Sequence, residues 1–155
     1  MKFKICGLFN HENINQVAVL KPDYIGHIFW EKSLRYVNNI TPNINKEIKK
    51  TGVFFNSIAE DVINKIDKHD LNCVQLHGDE SPQFCDEILD TGIKVIKSFR
   101  IDDNFDFNIL KSYEDYCDLF LFDSNSELPG GTCKSFNWKN LKKYNLKKGF
   151  FISGG

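Results

Sequence analysis

DLFLFDS, residues 118–124, reads as a short buried strand that ends on a carboxyl group: the apolar side chains Leu119 to Phe122 lead into Asp123 and then a turn. An unbroken apolar run of this length is typical of a strand covered on both faces. KFKIC, residues 2–6, has a similar form, ends on Cys6 and is followed by Gly7. Further strand-like runs occur near 23–29, 51–55, 72–76, 93–99 and 148–152, with helix-like stretches near 11–20, 42–50, 58–69, 82–91, 105–115 and 137–145. This alternation predicts an α/β fold, a parallel sheet covered by helices. An open doubly wound sheet and a (β/α)8 barrel both fit it. In either, residues ending the strands gather on one face, so Cys6 and Asp123 are candidates for one site.

Several helix starts are legible. Thr41-Pro42 and Ser81-Pro82 place a hydroxyl at the N-cap and a proline at the first helical position. Ser57 and Glu60 have capping-box spacing. No linker or low-complexity tract interrupts the rhythm, so residues 1–155 read as a single domain.

The chain has 20 basic and 21 acidic side chains, a balance that gives no electrostatic reason to expect nucleic acid or an anionic membrane as partner. Neither a leader-like segment nor an apolar run of membrane-spanning length is present, which predicts a cytoplasmic protein. Five widely spaced cysteines without a C-x-x-C predict reduced thiols rather than a disulfide framework.

Side chains alternate along a strand, so Lys2, Lys4 and Cys6 share one face and Phe3 and Ile5 the other. A cysteine at such a place is commonly a small buried hydrophobe. Its position at the strand end and the nearby Lys4 ammonium, which favours a thiolate, make Cys6 a candidate base. Asp123 is a candidate acid, against the plainer role of turn former. The loop behind it carries Lys134-Ser135 but lacks the glycine spacing of a phosphate-binding P-loop. In VQLHGDE (74–80), Cys73, Gln75 and His77 share a face, which makes His77 a candidate pocket wall. No ligand pair has metal-site spacing, so no metal is expected. Arg35, after the second strand, suits the grip of a carboxylate or phosphate. Gly154-Gly155 stand where a barrel binds phosphate through backbone N–H groups, or mark a tight turn. His27 and His69 receive no function.

KICG (4–7), DYIGHIFWEKSLRYV (23–37), GVFFN (52–56), VQLHGDE (74–80), DLFLFDS (118–124), PGGTCKSFNW (129–138) and FFISGG (150–155), in this order and spacing, resemble the phosphoribosylanthranilate isomerase family of tryptophan biosynthesis. The resemblance implies the (β/α)8 TIM barrel, truncated here after the seventh strand, and an Amadori rearrangement. The substrate would be N-(5-phospho-β-D-ribosyl)anthranilate and the product 1-(2-carboxyphenylamino)-1-deoxy-D-ribulose 5-phosphate. Cys6 would be the general base and Asp123 the general acid. Arg35 would hold the anthranilate carboxylate, and Gly154 and Gly155 the phosphate. No cofactor is implied, and the active form would be a monomer or homodimer. The acid must carry a proton where the base has lost one, so the two need environments that drive their pKa values apart.

The chain departs from the family pattern at Cys133, where the family has glycine, and at His27, Leu34 and Phe9. The largest departure is the absent eighth strand, from which a complete chain roughly 45–60 residues longer is expected. A competing reading is a non-catalytic remnant that binds a sugar phosphate or assembles through its open sheet edges.

Overall fold

The computed structural model describes residues 1–124 and 137–154; Gly155 and the loop bearing Cys133 lie outside them. Seven strands, β1 (Lys4–Cys6), β2 (Tyr24–Ile28), β3 (Lys49–Phe54), β4 (Cys73–Leu76), β5 (Lys94–Ile101), β6 (Leu119–Ser124) and β7 (Phe150–Ile152), pair in chain order as one parallel sheet. Three α-helices, α1 (His11–Val19), α2 (Ala59–His69) and α3 (Pro82–Leu89), cover the outside, with 3₁₀ segments at Phe107–Tyr113 and Trp138–Lys143.

Curling splits the apolar side chains into two layers. Ile5 points outward and packs with Ile14 of α1, Ile25 and Ile48, as strand alternation requires. On the inside, Tyr24, Cys73, Ile96 and Leu121 meet, and the Tyr24 and Phe151 rings touch edge to face at 5.2 Å. Contact between β2 and β7, far apart in strand order, is the mark of a barrel wall rather than an open sheet. Two sheet edges remain, β1 and β7, and the residues flanking them line a groove of about 780 Å³. The four described cysteines are free thiols, and no helix among the described residues is long and apolar enough to cross a membrane.

Ser81 caps α3 through the Phe84 N–H, with Pro82 as its first residue, as expected. Three other expectations fail. Residues 42–50 form no helix. Thr41 is buried, and its hydroxyl donates to the His69 carbonyl at the end of α2 instead of capping a helix of its own. The chain then enters β3, where Lys49 pairs with Tyr24. The Ser57–Glu60 box does not form either; the N-cap is Ile58, without a side-chain bond, after a left-handed turn at Asn56. The last two helix-like stretches are 3₁₀ segments, with aromatic side chains such as Tyr113 packed on Phe99 of β5.

His69 makes a testable consequence of this packing. Burial, followed by the charges of Lys65, Lys68, His27 and Lys50, lowers its pKa to about 4. Folded His69 therefore stays neutral where an unfolded histidine, titrating near 6.5, takes up a proton. Its contribution to stability is lost as pH falls from about 6.5 to about 4 and is level below that. Urea midpoints should show wild type losing about 2.5 kcal/mol more than His69→Gln between pH 7.5 and 4.5. Parallel pH profiles would contradict this account.

Candidate active site

Cys6, Arg35, His77 and Asp123, drawn from four separate regions of the chain, line one pocket at the C-terminal end of the sheet. Alternation accounts for the first of these positions, since Cys6, like Lys4, faces inward when Ile5 faces α1.

On the side of β1, the pocket depends on missing side chains. A Cβ on Gly26 of β2 would lie 2.7 Å from Cys6 Sγ and 2.9 Å from Lys4 Nζ, so glycine there leaves room for the thiol and the ammonium together. Gly7 turns the chain at φ +85°, and a Cβ on it would run into the Arg35 guanidinium. Arg35 thus lies directly over the turn that follows Cys6. The loop bearing it is fastened where the Val37 N–H donates to the Ile28 carbonyl at 2.8 Å. Its guanidinium makes no ion pair among the described residues, so its donors are available to an anion.

On the opposite side, Asp123 is the penultimate residue of β6 and is 7% exposed. His77 Nε2 lies 3.4 Å from Asp123 Oδ2. Burial pushes this carboxyl up. The hydrogen bond and charge of His77, the Ser124 N–H and the Ser153 hydroxyl outweigh that, and hold it below its ordinary value. These contacts favour the ionised carboxylate of Asp123, whereas the acid role that the resemblance implies needs it protonated. The Gln75 amide lies 2.8 Å from His77 Nδ1. With the amide nitrogen donating, the ring's proton sits on Nε2, toward Asp123. Gln75 Oε1 has no partner among the described residues, so turning the amide would let it accept from an Nδ1–H instead. Gln75 can thereby serve either charge state of the ring.

Gly154 adopts φ +86°, and a Cβ there would lie 2.8 Å from Ser124 Oγ and 3.1 Å from Asp123 Oδ1. It borders Asp123, and its left-handed turn suits glycine. Among the described residues, no group of three or more His, Cys, Asp or Glu could hold a metal ion.

Sequence reading missed four contributors. Ser153 follows an apolar run, as Cys6 and Asp123 end one, and strand-end position was the signal available. Gln75 shares the inward parity of His77. Trp30 and Phe55, with ring centroids 5.2 Å apart, form an aromatic wall of the pocket. They stand in loops, where no periodicity signals an inward side chain.

The model of the N-(5'-phosphoribosyl)anthranilate (PRA) isomerase family matches residues 3–155. The N-(5'-phosphoribosyl)anthranilate isomerase of Phocaeicola vulgatus is 37% identical over 155 residues, an alignment covering all of this chain and 76% of that protein. The crystal structure of phosphoribosyl anthranilate isomerase from Thermotoga maritima superposes with a TM-score of 0.85 at 28% identity, covering all of this chain and 77% of the other. A structure of the enzyme in complex with reduced 1-(o-carboxyphenylamino)-1-deoxyribulose 5-phosphate gives a TM-score of 0.81 at 27% identity, with coverages of 100% and 76%. Parallel strand order, the inward side chains at strand ends and a match over nearly every residue agree: the chain belongs to the N-(5'-phosphoribosyl)anthranilate isomerase family.

Proposed function

We propose that this isomerase of tryptophan biosynthesis performs its Amadori rearrangement with Cys6 as base and the Asp123–His77 pair as the source of the acid proton. The observation that carries this reading is the convergence of Cys6, Arg35, His77 and Asp123 on one pocket. The anthranilate carboxylate would lie on Arg35, with its ring against Trp30 and Phe55. That orientation presents the ribose to Cys6 on one side and Asp123 on the other. Gly154, beside Asp123, would receive the phosphate end with Gly155. Either a monomer or a homodimer in the cytoplasm would serve, since every named group comes from one chain.

The proton balance runs through both walls. A proton delivered from Asp123 to the furanose ring oxygen breaks the C1–O bond, while the nitrogen lone pair forms a C1=N iminium. Cys6, as thiolate, removes the proton from C2, and those electrons make the enolamine. Tautomerisation moves the enol proton to C1 and leaves the ketone at C2. The acid has lost one proton and the base has gained one, so exchange with water resets the pair.

The contacts of Asp123 favour its ionised form, so its proton must arrive with the substrate or from His77. The substrate brings a carboxylate and a phosphate and displaces water; both effects raise the proton affinity of a neighbouring carboxyl. His77 Nε2 at 3.4 Å is placed to hand a proton over as that happens. Supplying N-(5-phosphoribosyl)anthranilate and following the ketone carbon by NMR tests the activity directly. Arg35→Met should raise KM for this substrate roughly 10- to 100-fold, the loss of a charge-assisted hydrogen bond, with kcat little changed. The phosphoribosyl derivative of aniline, which lacks the carboxylate, should show no such penalty. An equal loss with both compounds would rule out Arg35 as the carboxylate's partner.

A further inference from the structure

Beneath His77 lies an ion pair that the chemistry above does not use. The side chains of Lys97 on β5 and Glu80 after β4 are only 2% and 3% exposed, and their charged atoms meet at 3.0 Å. The Lys97 ammonium also donates to the carbonyls of Leu76 at 3.4 Å and Gly78 at 2.7 Å, the residues on either side of His77. Its remaining contacts are the Ser98 carbonyl at 3.2 Å and the Phe99 ring at 5.5 Å.

Glu80 fastens the same loop from the other direction. Its carboxylate accepts from the Gly78 N–H at 3.0 Å and from the Asn56 N–H at 2.9 Å, which ties the loop after β4 to the end of β3. Asn56 answers by accepting from the Asp79 N–H at 2.7 Å. The Tyr113 hydroxyl closes the cluster on the Glu80 carbonyl at 3.1 Å. Gly78 must be glycine here, since a Cβ would strike the Asn56 side chain.

A buried ion pair is a poor way to gain stability, because well-packed apolar residues commonly do as well. What apolar residues cannot do is hold two carbonyls from one point. The ammonium binds the carbonyls of Leu76 and Gly78 together, and so holds the backbone on either side of His77, from which the imidazole projects. We propose that Lys97 and Glu80 are positioning residues: they set His77 so that its Nε2 meets Asp123, and they govern proton transfer without touching substrate. This rests on the acid role given above to the His77–Asp123 pair.

The test is a double-mutant cycle with a spectroscopic readout. Lys97→Met should lower kcat by roughly tenfold or more, as expected for a catalytic group displaced by a fraction of an ångström, with KM within about threefold. In a His77→Asn background the same replacement should change kcat less than about twofold, since the group it positions has gone. The ¹⁵N signals of the His77 ring should shift in Lys97→Met and, less strongly, in Tyr113→Phe, which removes one hydroxyl and serves if the first variant does not fold. Equal kcat losses in both backgrounds, or ring signals unmoved in the folded variants, would overturn the proposal. Absence of turnover in wild type would count against the isomerase assignment alone, and the ring signals would then decide the positioning role.

Discussion

Cys6→Ser is expected to lower kcat by roughly a thousandfold or more, within the range that one acid–base group supplies, while substrate affinity changes by less than about threefold. Serine keeps the size and position of the side chain, and Gly26 still leaves room for it. What it loses is an accessible anion, because an alkoxide is far costlier than a thiolate at neutral pH. The step affected is proton abstraction from C2, so deuterium at C2 should wash out into solvent with wild type and stay in place with the variant. Turnover of Cys6→Ser within tenfold of wild type would remove the sulfur from the mechanism.

Asp123→Asn is expected to be comparably damaging, again roughly a thousandfold in kcat, for the opposite reason. The amide oxygen can still accept from His77, so the pocket should keep its shape, but the group has no acidic proton to give the ring oxygen. The loss should be smaller for a substrate whose furanose is already opened, since the acid is needed only to open it. An equal loss for closed and opened substrates would place the role of Asp123 elsewhere. The two variants therefore interrupt different steps, and a mixture of the two inactive proteins should show no recovery if each pocket works within one chain.

How far the site could be read from residues alone depends on the distance over which each feature is determined. Strand ends are local, and parity is local, so Cys6, His77 and Asp123 were found by counting along single strands. The inward-facing barrel cluster of Tyr24, Cys73, Ile96 and Leu121 was not, because curl belongs to the whole sheet. Thr41-Pro42 has the chemistry of a helix start, yet His69, 28 residues away, takes its hydroxyl. The lowered pKa of Asp123 comes first from His77, which follows a different strand, and to a smaller extent from Ser124 and Ser153. Lys97 reads as a solvated position in a strand, and nothing near it in sequence announces Glu80 beneath the same loop. Local chemistry named the candidate groups, and contacts across the fold set their surroundings.

The sheet gives Cys6 and Asp123 a mechanical linkage through its strand pairing. Cys6 closes β1, and Asp123 stands in β6. Five interstrand ladders, from β1–β2 to β5–β6, join the strand of the sulfur to the strand of the carboxyl and act on that span as a spring. Small changes in twist at each ladder add up between the two groups. Whatever stiffens that arc sharpens the geometry proposed for the reaction, and whatever bends it detunes that geometry.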